Sequence, residues 1–308
     1  MFKALLSRLF QALLVLFVLF TVTFFLVKAL PGNPFQNAKA IPAHILKQMN
    51  ENWGLDKPPL VQYRIMLGNY LHLDPGYSTR LEGRPVAEVI RQAYPVSLLL
   101  GLVAMTIAVG VGVPAGCLAA ARKNSLIDTG SMAVAMLGIC LPAFVIGPIF
   151  AEIVGRKLQW FPVIGWSFTD FSTWVLPSVT LGLAYAAYIS RLTRAGMLDT
   201  LSQDFVRTAR AKGVSGINIV FRHCLRGGLI PVVAYLGPAF AGIVSGTVVI
   251  ESVFQIPGLG RHFVKAIESL DAGMIIAPTL LFGILVIGAN FVADLLALWL
   301  NPRLRKSS

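Results

Sequence analysis

The feature that most constrains this chain is a series of long apolar runs without charge. Residues 9–27 and 96–121 contain no Asp, Glu, Lys or Arg at all. A helix needs about 20 apolar residues, rising about 1.5 Å each, to cross the roughly 30 Å hydrocarbon layer of a bilayer. Each run is therefore long enough for one crossing. Residues 129–153, 174–190, 227–250 and 274–300 are of the same kind, with only Glu152 and Asp294 interrupting two of them. The first run is longer than the apolar stretch of a secretory signal and has no small-residue cleavage site after it, so it is expected to be retained. The expected fold is an all-α integral membrane protein with six transmembrane helices, which places both termini on one side. Only 13% of residues are charged, about half the level of soluble domains; a water-soluble enzyme and a disordered chain are both excluded.

The net charge of +12 follows from this topology. If the N-terminus is cytoplasmic, the inner segments hold Lys3, Arg8, Arg122, Lys123, Arg191, Arg194, Arg207, Arg210, Lys212, Arg222, Arg226, Arg303, Arg305 and Lys306. Against these stand Asp128, Asp199 and Asp204 alone. The outer segments are nearly balanced. Short loops near helix ends retain Lys and Arg on the cytoplasmic side, which selects cytoplasmic N- and C-termini. The basic residues flank crossings and lack interleaved aromatics, so no nucleic-acid partner is expected.

Residues 31–95 form the long outer segment, broken by Pro31, Pro34, Pro42, Pro58, Pro59, Pro75, Pro85 and Pro95. Within it, Leu60, Tyr63, Met66, Leu67, Tyr70 and Leu71 fall near one side of a helix over 59–73, lying on the membrane or on the bundle. The inner segment 191–226 carries more signals. Ser202 is placed to cap a helix starting at Gln203, Asp204 lies in its first turn, Arg210 and Lys212 in its last, and Gly213 follows. Ser215 is placed to cap a second amphipathic run with Ile217, Val220, Phe221, Cys224 and Leu225 on its apolar side. Such a helix can receive force from another protein or bind anionic lipid.

Signatures of self-contained chemistry are missing. The chain has no G-x-x-x-x-G-K-[ST], no H-E-x-x-H and no G-x-S-x-G, and His44, His72, His223 and His262 are scattered. Cys117, Cys140 and Cys224 give neither a disulfide framework nor a metal pattern and read as packing residues. No cofactor or metal is expected on this chain. Asn290 and Asp294 share a helix face as an intramembrane polar pair, either an ion site or a structural pair with a loop arginine. Gly112 with Gly116, and Gly242 with Gly246, are spaced for close helix packing. Pro142, Pro148, Pro177, Pro231 and Pro238 can kink crossings.

The run RLTRAGMLDTLSQDFVRTARAKG, residues 191–213, resembles the cytoplasmic loop of binding-protein-dependent ABC transporter permeases, specifically the B-type subunit of oligopeptide and dipeptide importers. LPGNP from Leu30, GLDKPPLVQY from Gly54, PVSLLLG from Pro95, LPAFVIG from Leu141, LPSVTLGLAYAA from Leu176, ESVFQIPGLGR from Glu251 and NPR from Asn301 are similar to the same subunits in the same order. The resemblance implies a type I importer permease with an N-terminal helix and extracytoplasmic segment over 1–95. A MetI-like core follows over 96–308, with the coupling loop at 191–226. It implies an inner-membrane location, a second homologous permease, two ATP-binding cassette subunits that bind ATP and Mg, an extracytoplasmic solute-binding protein, and surrounding lipid. The subunit itself would be non-catalytic. Ser202, Asp204, Phe205, Arg207, Thr208, Ala209, Arg210, Ala211, Lys212 and Gly213 would form the ATPase-coupling loop. The wider family writes this loop as E-A-A-x-x-x-G; Arg207, Thr208, Ala209 and Gly213 stand at the matching positions, without the Glu. Asn301 and Leu298 also depart from the family's closing motif. The implied function is half of the path of an ATP-driven importer of di- or oligopeptides. The alternative from the residues alone is a stand-alone secondary transporter or channel using Asp294, and a third is a membrane scaffold.

Overall fold

The computed structural model describes the backbone of residues 2–30, 54, 57–79, 81 and 84–300, and their side chains except those of 2–5 and 300. The predicted roles of residues 31–34, 42 and 301–308 lie outside the described residues. The described elements are helical: α1 (Phe2–Ala29), α2 (Pro59–Leu71), α3 (Val86–Ala121), α4 (Leu126–Cys140), α5 (Ala143–Phe150), which continues as a wider turn over Ala151–Lys157, α6 (Ser172–Leu201), α7 (Asp204–Ala211), α8 (Ile230–Val253), α9 (Leu259–Glu268) and α10 (Ala272–Leu300). Short helical runs over Gly216–Asn218, Ile219–Cys224 and Leu225–Gly228 connect α7 to α8. An isolated antiparallel bridge pairs Tyr77 with Pro85.

Among the described residues, five helices are long and apolar enough to cross a membrane, or six if the bent pair α4 and α5 makes one span. The third expected crossing is thus not one straight helix: its halves meet at 103°. The break falls just before Pro142. A residue before proline is pushed out of the helical region, and Leu141 accordingly has φ −90° and ψ 117°. Two other expectations are corrected. The helix of the second crossing does not begin after Pro95, because α3 starts nine residues before that proline and runs through it at the loss of one backbone hydrogen bond. The helix of the fourth crossing does not stop before Arg191 but continues to Leu201; a charge alone does not end a helix.

The chain divides into two compact units, residues 1–97 with 257–285, and residues 98–256 with 286–308. In the first, α2 packs on α1 through Met66, Phe20 and Phe24, joined by Ile276 and flanked by Tyr63, Leu67 and Tyr70. This helix therefore lies on the bundle, while Leu60 and Leu71 of its expected apolar side are exposed. Burial, with the nearby Asp271 and Asp74 carboxylates, pushes the Tyr70 phenol above its ordinary range. Asp271 is buried and caps α10 by accepting from Met274 N at 3.2 Å, and Ser78 Oγ donates to its other oxygen at 2.5 Å.

In the second unit, α6 is the central helix, flanked by α3, α4, α5 and α8. Lipid tails are as apolar as leucine, so close backbone approach carries the packing. A Cβ at Gly112 would lie 2.6 Å from the Ala186 carbonyl, and one at Gly116 would strike the Ser190 carbonyl and Thr193. Gly242 and Gly246 do the same service against Tyr185 and Leu181 of α6. Both small-residue pairs are packing seams. Ala108, Ala186, Ile189 and Val232 form the buried core there.

Candidate functional site: the loop between α6 and α8

The predicted loop helix exists as α7, eight residues long. Its start differs from expectation. Gln203, not Ser202, is the residue before the helix, with extended φ −74° and ψ 152°, and it makes no side-chain cap. Ser202 instead closes α6 and donates its hydroxyl proton to the Asp199 carbonyl at 2.7 Å. Asp204 sits in the first turn, as expected, with Arg207 3.6 Å away across one turn and Thr208 Oγ1 donating to its carbonyl at 3.2 Å.

The end of α7 follows from one glycine. Gly213 takes φ +76°, a left-handed conformation that strains any residue with a Cβ. That conformation turns its N–H onto the Arg210 carbonyl at 3.0 Å and the Val214 N–H onto the Ala209 carbonyl at 3.1 Å. Two carbonyls that would be left bare are thereby satisfied. Lys212 is the capping residue and Arg210 lies in the last turn, both favourable at the negative end of a helix.

What holds α7 is a residue that sequence reasoning passed over. Val206 is fully buried, in a cluster with Cys117 and Ala120 of α3, Met197 of α6, and Ile219, Val220 and Cys224 of the return run. Ala209 packs at its edge. The available signal was the spacing of Val206 and Ala209, three apart on one face. Ser202, Asp204, Phe205, Arg207, Thr208, Arg210, Ala211, Lys212 and Gly213 are all exposed. Phe205 keeps 46% of its surface open, large for an aromatic on a helix whose opposite side is sealed.

The return run departs from a simple amphipathic helix. Ser215 precedes it but makes no side-chain cap. Over Ile219–Cys224 the turns widen, with Leu225 N bonding back five residues to the Val220 carbonyl. This shifts the period, so Ile219, Val220 and Cys224 are buried while Ile217 and Phe221, expected inside, stand 67% and 59% exposed. Burial pushes the Cys224 thiol up, against a smaller opposing effect of Arg210. Of the other cysteines, Cys117 is buried as expected and Cys140 is exposed. Further along, Gly228 presses on Met197, and a Cβ at Gly196 would strike the Gly228 carbonyl, so the chain returns in backbone contact with α6. Arg226 donates to the Trp299 carbonyl at 3.1 Å and lies 5.9 Å over its ring.

Asn290 and Asp294 both lie on exposed surface of α10. Asn290 abuts the backbone at Gly237 of α8, and Asp294 has an interaction partner. Among the described residues no three His, Cys, Asp or Glu side chains are grouped to hold a metal ion.

Comparison with known proteins agrees with this architecture. Residues 112–306 match the family described as "Binding-protein-dependent transport system inner membrane component", and residues 1–101 match its N-terminal companion. The "Oligopeptide transport system permease protein OppB" of Haemophilus influenzae is 40% identical over 99% of this chain and 100% of that protein. The protein of the same name from Salmonella typhimurium is 38% identical over 99% and 100%. The "Dipeptide transport system permease protein DppB" of Lactococcus lactis subsp. cremoris is likewise 38% identical over 99% and 100%. Among solved structures, a chain of the MetNI methionine ABC transporter in an inward-facing conformation superimposes with a TM-score of 0.58 at 18% identity, covering 69% of this chain and 96% of that one. That likeness is one of fold.

Proposed function

Because this chain belongs to the inner-membrane permeases of binding-protein-dependent transport systems, we propose that it is the membrane subunit of a peptide importer in which α7 is the helix driven by a separate ATPase. As a multi-pass inner-membrane component with full-length likeness to oligopeptide and dipeptide permeases, it carries di- or oligopeptides. In the finer reading it forms half of the path beside a second, homologous permease. Two ATPase subunits bind ATP and Mg, and an external binding protein delivers the solute. Both termini are cytoplasmic, which the crowding of basic residues on one side supports.

The observation that carries the coupling role is the two-sidedness of α7. Val206 seals one side into the ends of α3 and α6, while Phe205, Arg207, Arg210 and Lys212 stand out on the rest. A helix fastened this way cannot shift without moving the helices beneath it, and an exposed aromatic among cations is what an interface anchor looks like. When the ATPases close on ATP, α7 moves with them and the crossings exchange one opening for the other.

The test is ATP-driven peptide uptake by the complete transporter in proteoliposomes. Phe205→Ala should weaken docking by about 2 kcal/mol, and Gly213→Val should strain the cap by about 1 to 2 kcal/mol; both should lower uptake at least tenfold while the subunit stays in the membrane. Undiminished uptake in both variants would overturn the coupling role.

A further inference from the structure

The bent element α4–α5 contributes nothing to the cluster that holds α7. A separate contact joins it to the same body. Arg194, two turns before the end of α6, donates from Nε to Asp128 Oδ1 at 2.5 Å and from Nη2 to Oδ2 at 2.7 Å. Asp128 is in the first turn of α4, with its side chain only 4% exposed. Asn124 N donates to the same carboxylate at 2.9 Å, and Ser125 Oγ caps the Asp128 N–H at 3.3 Å. With three donors on one carboxylate, its orientation is set. A two-pronged guanidinium–carboxylate contact adds direction to attraction, which a single point charge would not.

Beyond this point α4 continues along α6, with Ala135 buried and Gly138 facing Ala187. An open apolar groove of about 520 Å³ lies between α3, α4, α5 and α6, lined by residues including Val134, Ala135, Gly138 and Phe150. Past the groove comes the 103° bend at Leu141 and Pro142. One end of α4 is therefore tied to α6 by directed polar contacts, its middle rests on α6 beside the groove, and its far end turns sharply.

We infer that Asp128 and Arg194 are a positioning pair for transport, passing displacement of the α7 body to the α4–α5 element. This rests on α7 being the ATPase-driven helix. Without the fork, α7 and the end of α6 would move on ATP binding while α4 lagged, and hydrolysis would proceed with fewer peptides delivered.

The experiment measures ATP hydrolysed per peptide taken up by the complete transporter in proteoliposomes. Asp128→Asn, nearly isosteric, and Arg194→Lys, which keeps charge but loses the fork, should each raise that ratio about tenfold at unchanged subunit stoichiometry. An unchanged ratio in both single variants would overturn the pair's role. Phe205→Ala in the same assay separates the two readings. If it abolishes ATP-driven uptake while Asp128→Asn leaves the ratio unchanged, only the fork's role fails. If Phe205→Ala changes nothing, the coupling role of α7 fails first. Should a variant assemble poorly, spin labels on α7 and α4 of the remaining complexes report whether the two still shift together on ATP binding, and uncorrelated shifts in wild type would also overturn the proposal.

Discussion

The two halves of α6 solve the packing problem differently. From Leu181 to Ser190 the helix meets α3 and α8 through small residues, with Gly112 on the Ala186 carbonyl, Gly116 on the Ser190 carbonyl and Gly242 on Tyr185. From Thr193 to Leu201 the backbone contact of Gly196 with Gly228 is joined by the Arg194–Asp128 fork and by the apolar cluster around Met197 and Val206. The surroundings account for the difference. Within the bilayer, apolar side chains gain nothing by leaving lipid for one another, so contact area and backbone approach decide. At the end of the span, water makes burial of Val206, Ile219 and Cys224 favourable, and a shielded ion pair gains direction. The first half rests on backbone approach; the second adds a directed ion pair and an apolar cluster.

The largest effect should come from breaking the seam. Gly116→Leu forces a side chain against the backbone at Ser190 and Arg194, and should destabilise the bundle by about 3 kcal/mol or more. Loss of the monodisperse detergent-purified subunit on size-exclusion chromatography is the expected result. Next comes Val206→Asp, which buries an unpaired charge at about 3 kcal/mol but lies in the loop body. It should detach α7 while the membrane bundle stays folded. Cys224 reports this directly. Its buried thiol, with a raised pKa, has little thiolate at pH 7 and should resist a water-soluble maleimide in a background of Cys117→Ala and Cys140→Ala. It should become reactive once Val206→Asp opens the cluster. If the two substitutions damage bundle and loop alike, the contrast between the halves of α6 is wrong.

The smallest effects sharpen where α7 begins. Ser202→Ala should change stability by less than about 0.5 kcal/mol, because Ser202 belongs to the end of α6. Gln203→Asp should protect the amides of 206–211 by about 1 kcal/mol in hydrogen exchange, since position 203 has extended backbone and no side-chain cap at present. A larger loss from Ser202→Ala than gain from Gln203→Asp would return the cap to Ser202.

What the amino-acid sequence determined by itself is what depends on local composition and spacing. Uncharged runs long enough for lipid marked the crossings, and Gly213 after Arg210 and Lys212 marked where α7 ends, because a left-handed cap needs glycine at one position. The full-length likeness to peptide permeases is read from the same string. The tertiary structure decided what depends on residues far apart in the chain. It joined Arg194 to Asp128, sixty-six positions away. It made Val206 the anchor of α7, and it turned Ile217 and Phe221 outward through a widened helical turn. It also bent one crossing at Pro142, where several other prolines left their helices running. A proline shows where a hydrogen bond must be missing, but only the neighbours packed around it decide whether the helix bends there.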